Sequence, residues 1–153
     1  AVDPETMIII ESVWEAKNLP DPADYGWENV CYSYHNYNWG HDYDVENHIE
    51  FVDTKLASYA ALEYEVPKFV GEFTCFNLEP VWEYTLRAYT EANISYAIWT
   101  YKVTGNSSWG AYNLPNAEKA DVVNDSYEEI AEKWAAVSTE NAVKRAIFED
   151  YII

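Results

Sequence analysis

Four short segments of β-branched and aromatic residues, Met7 to Ile10, Asn29 to Tyr34, Lys68 to Phe73 and Ser95 to Tyr101, constrain what this chain can fold into more than any other feature. Their apolarity is nearly continuous, without a polar residue at every second position, which suits strands covered on both faces, as parallel strands are when helices flank them. Between the second and third segments, Ile49, Val52, Leu56, Tyr59, Ala60 and Leu62 recur at helical spacing and stop before Pro67. Between the third and fourth, Pro80 suits the first turn of a helix carrying Val81, Tyr84, Leu86 and Tyr89. Strand, helix, strand, helix, strand predicts an α/β chain with a parallel sheet and right-handed crossovers. The first two strands are joined instead by residues 14–28, where Pro20, Pro22 and Gly26 leave little room for helix.

After the fourth segment, residues 103–124 read as a long loop, because Gly105, Asn106, Gly110 and Pro115 interrupt any periodicity. Ser126 and Glu129 have capping-box spacing and predict the start of a helix that buries Ile130, Trp134 and Val137. A last helical stretch is expected over Ala142, Val143, Ala146 and Ile147. With no repeat, low-complexity tract or linker, residues 1–153 read as one domain.

Twenty-seven acidic residues against nine basic give a net charge of −18. A field of that sign repels phosphate backbones and anionic headgroups, which argues against nucleic acid and membrane surfaces as partners, but a neutral polysaccharide would not feel it. No apolar run is long enough to cross a bilayer. Seven Trp and fourteen Tyr are many for this length. Aromatic faces bind flat apolar surfaces such as sugar rings, although an aromatic-rich core accounts for part of the number. Cys31 and Cys75 are too few for a disulfide framework and lack zinc-site spacing, so both are expected as buried free thiols. The chain opens at Ala1 with no initiator Met and no signal segment, and the expectation is that whatever preceded it has been removed.

In barrel enzymes the site lies at the C-terminal ends of the strands, and each strand here ends in polar or aromatic residues: Glu11 and Trp14, His35 and Tyr37, Glu72, and Trp99 to Lys102. Strand alternation predicts that Glu72 points inward with Val70 while Phe69 and Phe73 face the helices. Gly71 would let a neighbouring backbone or ligand come close. A carboxylate in such a pocket can serve as nucleophile or base, and it can equally be a structural partner of His35 or Lys102. Gly40 to His48 contains metal-type side chains without coordinating spacing and reads as a solvated loop, so neither metal nor organic cofactor is expected. Asn93, Asn106 and Asn124 open glycosylation acceptor patterns, which arise often by chance.

The segments Val30-Cys31-Tyr32-Ser33-Tyr34-His35-Asn36-Tyr37, Pro67-Lys68-Phe69-Val70-Gly71-Glu72-Phe73 and Ala97-Ile98-Trp99-Thr100-Tyr101-Lys102, followed by Ser108-Trp109-Gly110, resemble in order and spacing strands six, seven and eight of glycoside hydrolase family 5, the cellulase and exo-glucanase family. Ile9-Ile10-Glu11 with Trp14, and Gly26-Trp27-Glu28-Asn29-Val30, look like that family's fifth strand and its lead into the sixth. The resemblance reaches Leu114 and implies the C-terminal half, strands five to eight, of a (β/α)8 TIM barrel, since a whole barrel needs about 250 residues. Such a half would leave two strand edges and an apolar sheet face open, to be completed by the missing N-terminal half-barrel or a second copy of the chain.

The resemblance further implies a retaining β-glycoside hydrolase acting on a β-glucan or related polysaccharide, working extracellularly, at the cell surface or in the periplasm. Glu72 would be the nucleophile, with His35 and Tyr37 holding it ionised and aimed. Trp99 would be the platform under the sugar and Trp109 a cleft wall, with Lys102, Glu11 and Trp14 lining the substrate cleft. Retention needs a second carboxyl group about 5 to 5.5 Å away. In the family that acid closes strand four in an Asn-Glu-Pro motif, which would precede residue 1. Asn77-Leu78-Glu79-Pro80 looks similar, but it follows the wrong strand and is interrupted by Leu78, so it reads as a helix start. The chain alone would then be inactive, and the alternative is a fragment that binds carbohydrate through Trp99, Trp109 and Tyr37.

Overall fold

The computed structural model describes residues 5–149, so the expectation about the opening residues falls outside it. The chain divides between Ile98 and Trp99 into two compact units, each with its own sheet.

The first unit is built on strands β1 (Ile8–Val13), β2 (Val30–Asn36), β3 (Lys68–Phe73) and β4 (Ser95–Tyr96), lying in the order β1-β2-β3-β4 with every pairing parallel. Helix α1 (Val45–Ala60) crosses from β2 to β3, and α2 (Glu79–Glu91) crosses from β3 to β4. The α/β class and the parallel sheet follow the sequence pattern. The Asp44 side chain caps α1 by accepting from the Asn47 N–H, and Pro80 occupies the first turn of α2, where its missing N–H costs nothing. Residues 14–28 form two short 3-10 turns, Ala16–Asn18 and Pro22–Tyr25. Gly26 closes the second at φ +63°, a left-handed conformation that a side chain would oppose.

Tyr32, Tyr34, Val70 and Phe73 on the helix-facing side of the sheet are fully buried. Tyr34 stacks on Tyr59 of α1 at 4.6 Å between ring centroids, and Phe73 packs against Trp82 and Tyr89 of α2 at 5.5 and 5.3 Å. Cys31 and Cys75 are buried and unpaired with each other, and burial pushes the Cys75 thiol up to about 12, leaving it inert.

The fourth strand is shorter than expected. Its ladder ends with Tyr96 opposite Val70, at the point where β3 bulges, and residues 97–101 leave the sheet. The second unit then begins, with a cis peptide between Trp99 and Thr100. It contains β5 (Lys102–Thr104) parallel to β6 (Tyr112–Leu114), with β7 (Val143–Lys144) antiparallel to β6. The long-loop reading of residues 103–124 is therefore corrected, as is the last helix, which is β7 followed by the 3-10 turn Ala146–Phe148. The connection between β5 and β6 is held by a distant residue: Arg145 donates to the carbonyls of Ser108 at 2.8 Å and Gly110 at 2.7 Å. Helix α3 (Tyr127–Ala136) starts at the expected Ser126–Glu129 capping box. It buries none of its residues, with Trp134 63% exposed and Ile130 and Val137 half-buried, because helical periodicity sets a face without supplying anything to cover it.

Candidate active site

Because β1, β2 and β3 run parallel, their C-terminal ends fall on one edge of the sheet, and Glu11, His35 and Glu72 lie there together. The register of β2 on β3 pairs Tyr34 with Val70 and then His35 with Glu72, so β3 carries one extra residue, a bulge at Gly71. This overturns the simple alternation expected for the strand. Val70 is on the buried side with Tyr34, whereas Phe69 pairs with Ser33 on the opposite face. A Cβ on Gly71 would lie 2.6 Å from Ser33 Oγ and 3.4 Å from the Phe69 ring, which fixes Gly71 on that same face. The bulge shifts the alternation by one residue, so that Glu72 meets His35 while Phe73 still faces α2, as expected.

Tyr37 Oη donates to Glu72 Oε2 at 2.7 Å. His35 Nδ1 lies 3.4 Å from the same oxygen, and His35 Nε2 lies 3.3 Å from Glu11 Oε2. Glu72, His35 and Glu11 are partly open to solvent, with side-chain exposures of 26%, 23% and 36%. Tyr37 is buried. Burial first, then the hydrogen bond to Glu72, pushes its phenol well above the usual tyrosine range, so it stays a proton donor at any working pH. Both of these neighbours address Oε2, and among the described residues no hydrogen bond is made to Oε1. A carboxylate held by one oxygen can act through the other as nucleophile or general base.

A buried layer supports this edge. Asn36 lies on the other side of the sheet from His35, accepting from Tyr59 Oη at 2.8 Å and donating to Tyr89 Oη at 3.0 Å, which ties the strand end to α1 and α2. Past the strand, Asn38 Nδ2 donates to Asn47 Oδ1 of α1 at 2.9 Å.

The sequence-expected residues thus separate into two sets. Glu11, His35, Tyr37 and Glu72 are brought together in the first unit, and Trp14 stands half-exposed at the end of β1, its carbonyl accepting from Lys55 at 2.6 Å. Trp99, Lys102 and Trp109 belong to the second unit. There Lys102 Nζ donates to the Val137 carbonyl at 2.7 Å and to Thr139 Oγ1 at 3.2 Å, holding the C-terminal end of α3. Trp99 is half-exposed, and Trp109 is half-buried with its carbonyl accepting from Thr100 at 2.9 Å.

Two residues escaped the sequence reading. Trp39 packs on Tyr37 at 5.0 Å between ring centroids, signalled only by its place two positions after Tyr37. Asn36 looked like an ordinary polar strand end. Among the described residues, no group of three or more His, Cys, Asp or Glu side chains could hold a metal ion. Comparisons with protein-family models, with curated proteins and with solved structures each find no match.

Proposed function

We propose that this chain is the C-terminal half, strands five to eight, of a (β/α)8 barrel of the glycoside hydrolase family 5 type, and that the complete protein is a retaining β-glycosidase acting on a β-glucan or related polysaccharide outside the cytoplasm. The observation that carries the reading is Glu72 at the C-terminal end of a parallel strand, with Oε2 held by Tyr37 and flanked by His35. In the two-step mechanism Glu72 attacks the anomeric carbon to form a glycosyl-enzyme ester. An acid from the missing half protonates the leaving oxygen, and the same group then takes a proton from the water that releases the sugar. Trp99, Trp109 and Lys102 of the second unit and Glu11 and Trp14 of the first are each proposed as sugar contacts, and the chemistry needs no metal or organic cofactor. The open edge of β1, where Met7, Ile8 and Ile9 are each more than half exposed, supports a covering partner, either the N-terminal half or a second copy.

The test avoids the missing acid. A 2-deoxy-2-fluoro-β-glucoside with a dinitrophenolate leaving group departs without protonation, and the fluorine slows hydrolysis of the ester. Incubation should add one fluoroglucosyl mass to the chain, mapping to the peptide that contains Glu72 and absent from Glu72→Gln. A chain left unmodified, or modified elsewhere, refutes the assignment.

A further inference from the structure

We infer that Asn93 is a modification site, the acceptor for an N-linked oligosaccharide attached at the edge of the sheet opposite Glu72 when the chain enters a secretory compartment. The inference rests on the location outside the cytoplasm proposed above, and not on the glycosidase chemistry.

The chain holds three Asn-X-Ser patterns, and the folded structure separates them. At Asn124 the side chains are already committed: Asn124 Nδ2 donates to Asp121 Oδ2 at 2.6 Å, Asp125 accepts from Lys133 at 2.7 Å, and Ser126 Oγ caps α3 by accepting from the Glu129 N–H. At Asn106 the acceptor hydroxyl belongs to Ser108, which is half-buried with its carbonyl held by Arg145. Ser107 between them is bonded twice, to Asn113 through its N–H and from the Trp109 N–H through its hydroxyl. Asn93 differs from both. Asn93 and Ser95 are exposed, and among the described residues neither side chain makes a hydrogen bond, while Ile94 between them is buried and anchors the tripeptide.

The backbone fixes where this amide stands. Helix α2 ends in a Schellman motif, in which the Ile94 N–H donates to the Tyr89 carbonyl at 2.9 Å and the Asn93 N–H to the Thr90 carbonyl at 3.1 Å. Asn93 takes the left-handed position of that motif, at φ +54°, which Asn tolerates better than most residues. The cap accounts for an Asn at 93, but it requires neither an unbonded amide nor an exposed hydroxyl at Ser95. Ser95 opens β4 opposite Phe69, so the tripeptide lies at the N-terminal edge of a parallel sheet whose other edge gathers Glu11, His35 and Glu72. An open groove beside it, lined by Glu65, Pro67, Lys68 and Ala92, leaves room for the first sugars. A bulky, hydrophilic glycan placed there leaves the Glu72 edge clear. In the transfer, Asn93 Nδ2 attacks the anomeric carbon of the first sugar of a polyprenyl-diphosphate-linked oligosaccharide. The C–N bond forms, the bond from that carbon to the diphosphate oxygen breaks, the polyprenyl diphosphate leaves with the electron pair, and Nδ2 gives up one proton.

The full chain is translated behind a cleavable signal segment in the presence of endoplasmic-reticulum microsomes, and the protease-protected fraction is analysed by intact mass and peptide mapping. Wild type and Ser95→Thr should carry a glycan that peptide N-glycosidase removes in heavy-oxygen water, leaving a labelled aspartate at position 93. Asn93→Gly, which keeps the left-handed turn, and Ser95→Ala, which keeps the asparagine, should both lose that glycan. A protected wild-type chain in which residue 93 is still asparagine after glycosidase treatment overturns the inference, whether or not Asn106 or Asn124 is modified. So does a glycan at Asn93 that survives Ser95→Ala. Fluoroglucoside labelling of the same protected chain reports on the other reading: a glycan at Asn93 without a label on Glu72 sinks the glycosidase and leaves the acceptor standing. A label on Glu72 with Asn93 bare sinks the acceptor alone.

Discussion

Replacing Asn36 by Leu should be among the most damaging single changes in this chain, although Asn36 touches no proposed substrate. Asn36 is 2% exposed and bridges two equally buried phenols, accepting from Tyr59 Oη at 2.8 Å and donating to Tyr89 Oη at 3.0 Å. Leu keeps the branching of Asn at Cγ and leaves no cavity, but it can neither donate nor accept, so both hydrogen bonds are lost. Burial holds both tyrosines above the usual phenol range, so neither can escape by ionising. Each orphaned hydroxyl costs about 1–3 kcal/mol, and two together about 2–6 kcal/mol, against a total stability of about 5–15 kcal/mol for a typical domain. Removing the stranded hydroxyls should reverse the loss, because taking away both partners of a hydrogen bond is nearly neutral. Asn36→Leu combined with Tyr59→Phe and Tyr89→Phe should return to within about 1 kcal/mol of wild type. Urea unfolding read by tryptophan fluorescence and far-UV circular dichroism gives the midpoints. A loss under about 0.5 kcal/mol in Asn36→Leu, or a triple variant no more stable than the single, would refute the network.

Further expectations concern the bulge, a buried histidine and the charge. Gly71→Ala brings a methyl group to 2.6 Å from Ser33 Oγ in a buried contact and should cost about 1–3 kcal/mol by urea midpoint, most of it recovered by adding Ser33→Ala. A Gly71→Ala chain as stable as wild type would argue against the bulge. His48 is 2% exposed with no hydrogen-bond partner at Nε2 among the described residues, and burial lowers its pKa. The unfolded chain therefore takes up the proton first, at about pH 6.5, so the contribution of His48 is complete above that pH and is lost as pH falls through it. Thermal midpoints from pH 7.5 to 5.5 should drop more steeply for wild type than for His48→Phe, and parallel curves would sink the idea. With a net charge of −18, raising NaCl from 0.1 to 1 M shortens the screening length from about 10 to about 3 Å and should raise the melting temperature. KCl should act equally, and an unchanged melting temperature would show that self-repulsion is negligible.

The first unit was legible in the sequence because its signals are local and long enough to repeat. The apolar run Lys68 to Phe73 became β3 with those bounds, and the 45–60 and 79–91 helices follow from apolar spacing and Pro80. What escaped depends on partners distant in sequence. The bulge at Gly71 exists only against β2, so alternation alone put Val70 on the wrong face. Three-residue strands such as Lys102–Thr104 and Tyr112–Leu114 are too short to show a period, and the connection between them is held by the guanidinium of Arg145, thirty-five residues beyond Gly110. Trp134 is exposed because a helix can carry an apolar stripe with nothing laid over it. At the site, His35, Tyr37 and Glu72 could be named from strand ends, whereas the contact of Glu11 with the far side of His35 needed the β1–β2 register.

That last contact bears on whether the cluster is a scaffold or a working site. His35 lies 3.3 Å from one carboxylate and 3.4 Å from another, on strands to either side of its own. A neutral imidazole has a single N–H and can serve only one of them, whereas an imidazolium serves both and places a positive charge between two negative ones. For stability this is a poor use of three side chains, since ion pairs exposed by a quarter to a third are worth about 0–1 kcal/mol and one carboxylate would satisfy the ring. Packing does not demand it either: the buried face of the same strands is secured separately by Asn36, Tyr34 and Phe73. The polar groups are gathered instead where the strands end, at the edge where parallel α/β sheets hold their ligands, and among the described residues one carboxylate oxygen of Glu72 takes no hydrogen bond. An arrangement that adds little stability but fixes the position of a carboxylate favours a chemical role for Glu72 over a structural one.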